Sequence, residues 1–589
     1  MSFPSRSAVE SHRLADHSAD FRMILLAAMA APVGAGGACG AWVLTKLIAL
    51  AANVFWLRRF STAPASIADA AHGWSTLFIP VIGGLVIGLM ARFGSEKIRG
   101  HGIPEAIEAI LYGESRLSLK VAILKPVSSA ISIGSGGPFG AEGPIIMTGG
   151  AIGSLFAQCF HLSAAERKTL LVAGAAAGMT AIFNTPLAAI LLAVEVLLFE
   201  WKPRSFVPVV AAVLVSSVCR PLMIGAGPMF TFAAATPSAA WAVTAASGVG
   251  VISGLQATLV SSALYRVEDV FHRLPIHWMW WPAIGAVVVG FGGLIDPRVL
   301  GAGYANIQAL LDSSLTTQAV ITLLAVKAAV WLAALGSGTS GGVLAPLLIL
   351  GGALGCLVGH ALPGDAGLWA MVGMAGIMSG AMRAPITGAL FAVELTDHFE
   401  ALPLTIAAAG GAYAVSVLLM RRSILTEKLA RRGRHILQEY TVDPLDFMQA
   451  RQLMTCNPAT LPGSMLVSDM LAFFGKDATY RSYPVVDDED RLLGLASRTD
   501  ALRWQGRDSP AATLAEALSD ASLPVAYPDT PSSILADLII ETGVGRIPII
   551  DPATRRVVGI LSRQDLLQAR HIHRRAETHR SRFDERRGQ

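Results

Sequence analysis

Residues 141–155 read AEGPIIMTGGAIGSL and residues 343–357 read VLAPLLILGGALGCL. The two stretches align without a gap. Pro144 falls on Pro346, the glycine pair 149–150 on 351–352, and Gly153 on Gly355. A second pair follows in the same order. FNTPLAAILLAVEV from 183 and MRAPITGALFAVEL from 382 set Pro186 against Pro385 and Glu195 against Glu394. Two ordered blocks at a nearly constant offset are hard to obtain from biased composition alone. Both lie within long apolar runs, each able to span or re-enter a bilayer at about 20 residues per helix. Transporter folds are often built from two such halves, with the substrate site where they meet. The sequence itself does not show whether the halves are inverted.

The rest of the composition agrees. Only 15% of the 589 residues are charged, against about 25% in soluble domains. The net charge of +4 gives no argument for a nucleic-acid partner. Glycines and prolines interrupt the apolar runs, and in lipid such breaks survive only where the backbone is buried or lines a wet cavity. Trp278, Trp280 and Trp281 cluster as in an interfacial aromatic belt. The five cysteines form no CxxC pair and read as small buried hydrophobes, without disulfides or zinc. The polar first twenty residues and the long apolar run after them do not read as a cleaved secretory signal. The composition breaks near residue 420, at RRSILTEKLARRGRH, and its Arg and Lys cluster places that end and all that follows in the cytoplasm. The fold class expected is a polytopic α-helical membrane protein with a cytoplasmic α/β tail.

Three Gly-rich turns open apolar helical runs: GHGIP (100–104), GAEGP (140–144) and GGVLAP (341–346). Gly lets backbone approach a ligand, and Pro suits a first helical turn. A helix N-terminus offers unpaired N–H groups and partial positive charge, and several aimed at one point bind an anion without a full positive charge. One such turn alone is better read as tight helix packing; three in a duplicated membrane core favour an anion site. Glu142 lies inside one of them, and a carboxylate within the bilayer is a functional candidate. At a helix N-terminus it competes with a bound anion for the same amides, and protonation releases it. The alternative is a permanent backbone cap. Glu195 and Glu394 stand near the ends of apolar runs, where structural hydrogen bonding is the better reading.

The ordered set GHGIPEAIEAIL, GAEGP, FNTPLAAILLAVE, GGVLAP and RAPITGALFAVELT resembles the CLC family of chloride channels and chloride/proton exchangers, over roughly residues 22–430. The resemblance implies two inverted halves per subunit, a homodimer with one anion pathway in each subunit, anion coordination by helix N-termini, and a multi-pass place in the cell membrane. By residue, it implies that Glu142 is the gating glutamate, with Gly143 beside it. His101, Gly102, Ile103 and Pro104 match the first anion-binding turn, and Val343 and Leu344 the pair whose amides face the central anion. Four departures matter. Ala141 replaces the basic residue usual in the gating motif. His101 stands where the family usually has serine. Val196 occupies the position of the exchangers' inner proton glutamate, as in members that act as channels. Leu425 aligns with the tyrosine that closes the central site from the cytoplasm. His101 reads as a neutral donor, a pH-sensitive cation or a ring turned away from the path.

The tail also repeats: YRSYPVVDDEDRLLGLASRTDAL (480–502) matches GRIPIIDPATRRVVGILSRQDLL (545–567), each a strand, turn, strand and helix. It resembles a CBS pair. The resemblance implies an adenine nucleotide (AMP, ADP or ATP) held through Ser497 and Asp500, and Ser562 and Asp565; the plainer reading makes these residues helix caps. No other cofactor and no metal is expected. The expected division is an N-terminal cytoplasmic segment (1–21), the membrane domain (22–430), a basic linker (431–450), CBS domain 1 (451–507), CBS domain 2 (512–571) and a charged tail (572–589). HExxH is absent, which removes an intramembrane metalloprotease and leaves no enzyme reading. Acidic residues are sparse and unclustered within the apolar runs, which argues against a magnesium transporter. The function expected is conduction of small anions, chloride first, gated by voltage or pH at Glu142 and regulated at the CBS pair. The alternative is proton-coupled antiport of chloride or another anion.

Overall fold

The computed structural model describes residues 21–113, 115–237, 240–434, 445, 448–505, 513–518 and 523–582. The expected N-terminal segment (apart from Phe21), most of the basic linker and the end of the charged tail lie outside those residues. The chain divides into two compact units, residues 1–438 and 439–589.

In the first unit the chain runs through α1 (Phe21–Leu57), α2 (Ser75–Phe93), α3 (Ile103–Tyr112), α4 (Leu119–Gly134), α5 (Glu142–Gln158), α6 (Ala164–Phe183), α7 (Pro186–Leu192) and α8 (Pro203–Met223). One π-helical turn, Ala193–Leu198, prolongs α7. The same order returns as α9 (Ala240–His272), α10 (Trp281–Ile295), α11 (Tyr304–Leu311), α12 (Thr317–Gly336), α13 (Leu344–Gly359), α14 (Ala366–Met382), α15 (Pro385–Thr396) and α16 (Leu402–Leu419). A short helix α17 (Glu427–Arg431) follows. Among the described residues, seven helices are long and apolar enough to cross a membrane. The run Pro186–Leu198 and helices α13, α14 and α15 are apolar but shorter. A helix shorter than the bilayer ends inside it, and its terminus then has to meet a partner or a ligand.

The halves are inverted. Gly140 and Gly342, equivalent positions of the two repeats, pair antiparallel, and the Gly342 N–H donates to the Gly140 carbonyl at 3.0 Å. Antiparallel pairing of equivalent residues places a two-fold axis between them, so the helices that follow start side by side and run oppositely. The local grammar repeats too. Asn184 and Arg383, both left-handed (φ 57 and 59), end α6 and α14, and Pro186 and Pro385 start the next helices.

Two side-chain expectations change. Among the cysteines only Cys356 is buried; Cys39, Cys159 and Cys456 are exposed and Cys219 is intermediate. Apolar surface in a membrane protein faces lipid as readily as core, so an apolar neighbourhood does not imply burial. Trp281 is likewise buried at 6% exposure, with the Arg99 guanidinium over its ring and over that of Trp278. Trp280, at 48%, keeps the outward place of a belt residue.

The second unit holds β1 (Thr455–Cys456), β2 (Leu461–Pro462), β3 (Ser482–Val486), β4 (Leu492–Ser497), β5 (Arg546–Ile550) and β6 (Val557–Ser562). One sheet has the order β2-β3-β4, with β2 parallel and β4 antiparallel to β3. The other is β1-β6-β5, antiparallel throughout. Strand β1, at the start of the first module in sequence, thus completes the sheet of the second and interlocks the pair. Helices α18 (Val467–Lys476) and α19 (Arg498–Gln505) belong to the first module, and α20 (Ser532–Thr542) and α21 (Arg563–Arg582) to the second.

Candidate functional site

The three Gly-rich turns meet. Gly143, one residue inside α5, is where they touch. A Cβ there would lie 1.8 Å from the His101 carbonyl oxygen and 3.4 Å from the Gly342 Cα. Only a residue without a side chain lets the starts of α3, α5 and α13 approach so closely.

Glu142 sits at this junction with no solvent exposure. Its Oε1 accepts the Ala345 N–H at 3.0 Å, in the first turn of α13. Its Oε2 is buried without a hydrogen-bond partner. The carboxylate therefore occupies the place where a helix N-terminus would receive an anion. The Tyr304 hydroxyl also stands beside it. The neighbouring Ala141 N–H donates to the Tyr304 hydroxyl at 3.3 Å. Val343 and Leu344, fully buried, cap and open α13 beside it.

The GHGIP turn is built by charge. Gly102 has φ +87, a conformation side chains rarely adopt. Its N–H donates to Glu105 Oε2 at 3.1 Å, and Glu105 Oε1 accepts from Lys428 at 2.8 Å and Arg432 at 3.4 Å. The Gly102 amide is thus taken up within the protein, and Pro104 has none. What the turn presents instead is His101. Its ring is 3% exposed, with neither nitrogen hydrogen-bonded. It lines a cavity of about 840 Å³ shared with Arg99, Glu105, Lys428, Arg431, Arg432 and Arg434. Ile103 is fully buried at the start of α3.

The family model described as voltage gated chloride channel matches residues 83–417. The chain belongs to this family, the CLC proteins. The CBS domain model matches residues 450–507 and 515–572. A voltage-gated ClC-type chloride channel ClcB of Salmonella dublin is 30% identical over 63% of this chain and 91% of its own length. A slow cyanobacterial Cl⁻/H⁺ antiporter shares the fold at TM-score 0.61 and 22% identity, over 69% of this chain and 97% of its own. A eukaryotic CLC transporter does so at TM-score 0.58 and 20% identity, over 92% and 98%.

Within this CLC frame, Val196 is 2% exposed in the π-helical turn. The adjacent Glu195 turns away, its Oε2 accepting the Thr387 N–H at 2.9 Å and hydroxyl at 2.5 Å. Glu394 does the reverse, accepting the Leu187 and Ala188 amides at 2.9 and 2.7 Å. Each glutamate caps the short helix that carries the other, which is the structural bonding expected of both. Leu425 is 1% exposed. It follows Ile424, whose carbonyl accepts the Tyr265 hydroxyl and whose N–H donates to Ala381 at 3.1 Å.

Two buried lysines escaped the sequence reading. Lys125 and Lys327 are fully buried. Lys125 donates to the Ile98 and Gly100 carbonyls at 2.8 and 2.7 Å, and Lys327 to those of Val299 and Gly301 at 2.8 and 3.0 Å. They are equivalent in the two halves, and each braces one glycine turn. The signal lay in IRGHG (98–102) against VLGAG (299–303), a third block of the repeat.

In the CBS unit each aspartate closes on its own serine. Asp500 Oδ2 accepts the Ser497 N–H at 3.1 Å and hydroxyl at 2.5 Å; Asp565 Oδ2 accepts the Ser562 N–H at 2.8 Å and hydroxyl at 2.6 Å. Each serine oxygen in turn accepts the aspartate's N–H, at 3.3 and 3.4 Å. This is the capping arrangement. It turns both aspartates to the ends of their strands and occupies one carboxylate oxygen of each.

Proposed function

We propose that this CLC protein conducts small anions, chloride first, through a path gated by Glu142. The observation that carries the reading is the Glu142 carboxylate on the Ala345 amide, where a permeating anion would bind. A buried charge on the anion route responds to membrane voltage, and its protonation to pH, so either opens the gate. Val196 favours passive conduction over proton-coupled antiport, because valine carries no proton at the position where exchangers of the family have a glutamate. His101, Gly102, Ile103, Gly143, Val343 and Leu344 frame the anion site, with Pro104 fixing the start of α3. The protein works as a homodimer in the cell membrane with the CBS pair in the cytoplasm. Efflux from proteoliposomes loaded in turn with chloride, nitrate, fluoride and Mg²⁺ tests it. Anion loss without Mg²⁺ loss is expected; Mg²⁺ loss alone would overturn the anion reading.

The CBS pair is proposed to sense an adenine nucleotide. The soluble piece from about residue 436 should bind AMP, ADP or ATP. Asp500→Ala and Asp565→Ala should each weaken binding by the roughly 1.5–3 kcal/mol of a charge-assisted hydrogen bond. Calorimetry that finds neither heat nor thermal stabilisation with any of the three nucleotides removes this role.

A further inference from the structure

At position 196 a valine offers no proton, and the adjacent Glu195 is bonded through Oε2 to Thr387. His101 stands elsewhere. Its ring is 3% exposed, and both nitrogens lack any hydrogen-bond partner among the described residues. Buried polar atoms are nearly always paired with protein or with water. This ring is therefore placed to meet something mobile, water or the passing anion. It lines the cavity of about 840 Å³, while its backbone packs on Gly143, next to Glu142. The residue thus lines the cavity, and its backbone carbonyl lies against the turn that carries the gate.

We propose that His101 is a proton relay from the cavity to Glu142. The proposal rests on the reading of Glu142 as the gate. Water in the cavity gives a proton to the ring nitrogen that has none. The opposite nitrogen releases its proton to water on the anion route, which passes it to Glu142 Oε2, the oxygen without a protein partner. One proton has moved, the ring is neutral in its other tautomer, and Glu142 is a neutral acid free to leave the Ala345 amide. The charged groups facing the ring are Glu105 on α3, Lys125 on α4, Lys428 on α17 and Arg432 just beyond it, with Arg99, Glu108, Glu268, His272, Arg431 and Arg434 on the cavity wall. α5 and α12 add the apolar Met147 and Leu335. Glu105, the nearest carboxylate, is held by Gly102, Lys428 and Arg432, so no acid bonds the ring and fixes its proton. The relay sets how often the gate opens. It imposes no ratio of protons to anions, because anions pass while Glu142 stays protonated.

The test uses full-length protein in planar bilayers, oriented one way, with pH lowered from about 7.5 to about 5.5 on each side separately. Native conductance should rise several-fold with acid on the cavity side. His101→Gln, which bonds water but does not exchange its proton by tautomerism, and His101→Ser, which restores the usual hydroxyl, should lose most of that rise. The readout is the acid-to-neutral ratio, whatever conductance each variant keeps. The response to acid on the opposite side should persist in both and disappear in Glu142→Gln. Variants at 101 that keep the native cavity-side ratio overturn the relay and leave the gate intact. A Glu142→Gln protein that still responds to acid overturns the gate, and the relay with it.

Discussion

Glu142→Gln is expected to conduct as well as the native protein or better, and to lose its activation by acid. The native carboxylate is buried, holds the Ala345 amide through one oxygen and leaves the other unpaired. It competes with an anion for that helix terminus because both are negative. Acid neutralises it, so native flux should rise as pH falls. The amide has the same shape and no charge, and acid has nothing left to change. Anion efflux measured across pH with both proteins reads the effect directly. A variant that folds normally, keeps the native pH profile and conducts no better removes Glu142 from the gate.

Gly143→Ala should abolish conduction. Its Cβ would lie 1.8 Å from the His101 carbonyl oxygen, a backbone atom with no rotamer by which to move aside. Either α5 or the GHGIP turn has to shift, and the turn is held by Glu105, Lys428 and Lys125. Overpacking of this kind costs about 1–3 kcal/mol or more, and the anion site loses its geometry even where the fold survives. Gly248→Ala is the control, since a Cβ at this exposed position on α9 meets nothing within 4 Å. Thermal unfolding in detergent together with flux separates the two. A Gly143→Ala protein as stable and as active as Gly248→Ala would mean that the three turns do not meet as described.

Much of this was visible in the chain before any coordinates. The two aligned blocks, with proline and glutamate in register, show a duplication because short helices that start at the membrane centre need Pro and Gly at fixed places. Inversion is not visible that way, since an alignment has no direction in space; it appears only when Gly140 pairs antiparallel with Gly342. The reading of Glu195 and Glu394 as structural follows from their place at the ends of apolar runs. That each caps the other's helix needs the fold. Lys125 and Lys327 were missed because one lysine in an apolar run looks like an interruption. Its carbonyl partners lie more than twenty residues upstream, across a turn. The exposure of the cysteines is not legible in the sequence, because an apolar neighbourhood does not separate a lipid-facing surface from a core.

The reversal potential is the most direct test of passive anion conduction. Valine at 196 has no exchangeable proton. Glu195 bonds Thr387, and the leucine at 425 has no hydroxyl to hold an anion against the inner side. In protein-loaded bilayers, a chloride gradient should set the reversal potential at the chloride Nernst value. A proton gradient at equal chloride should leave it at zero while changing only the size of the current. A reproducible shift of the reversal potential with the proton gradient, or protons driven uphill by chloride, would contradict the account and establish an exchanger.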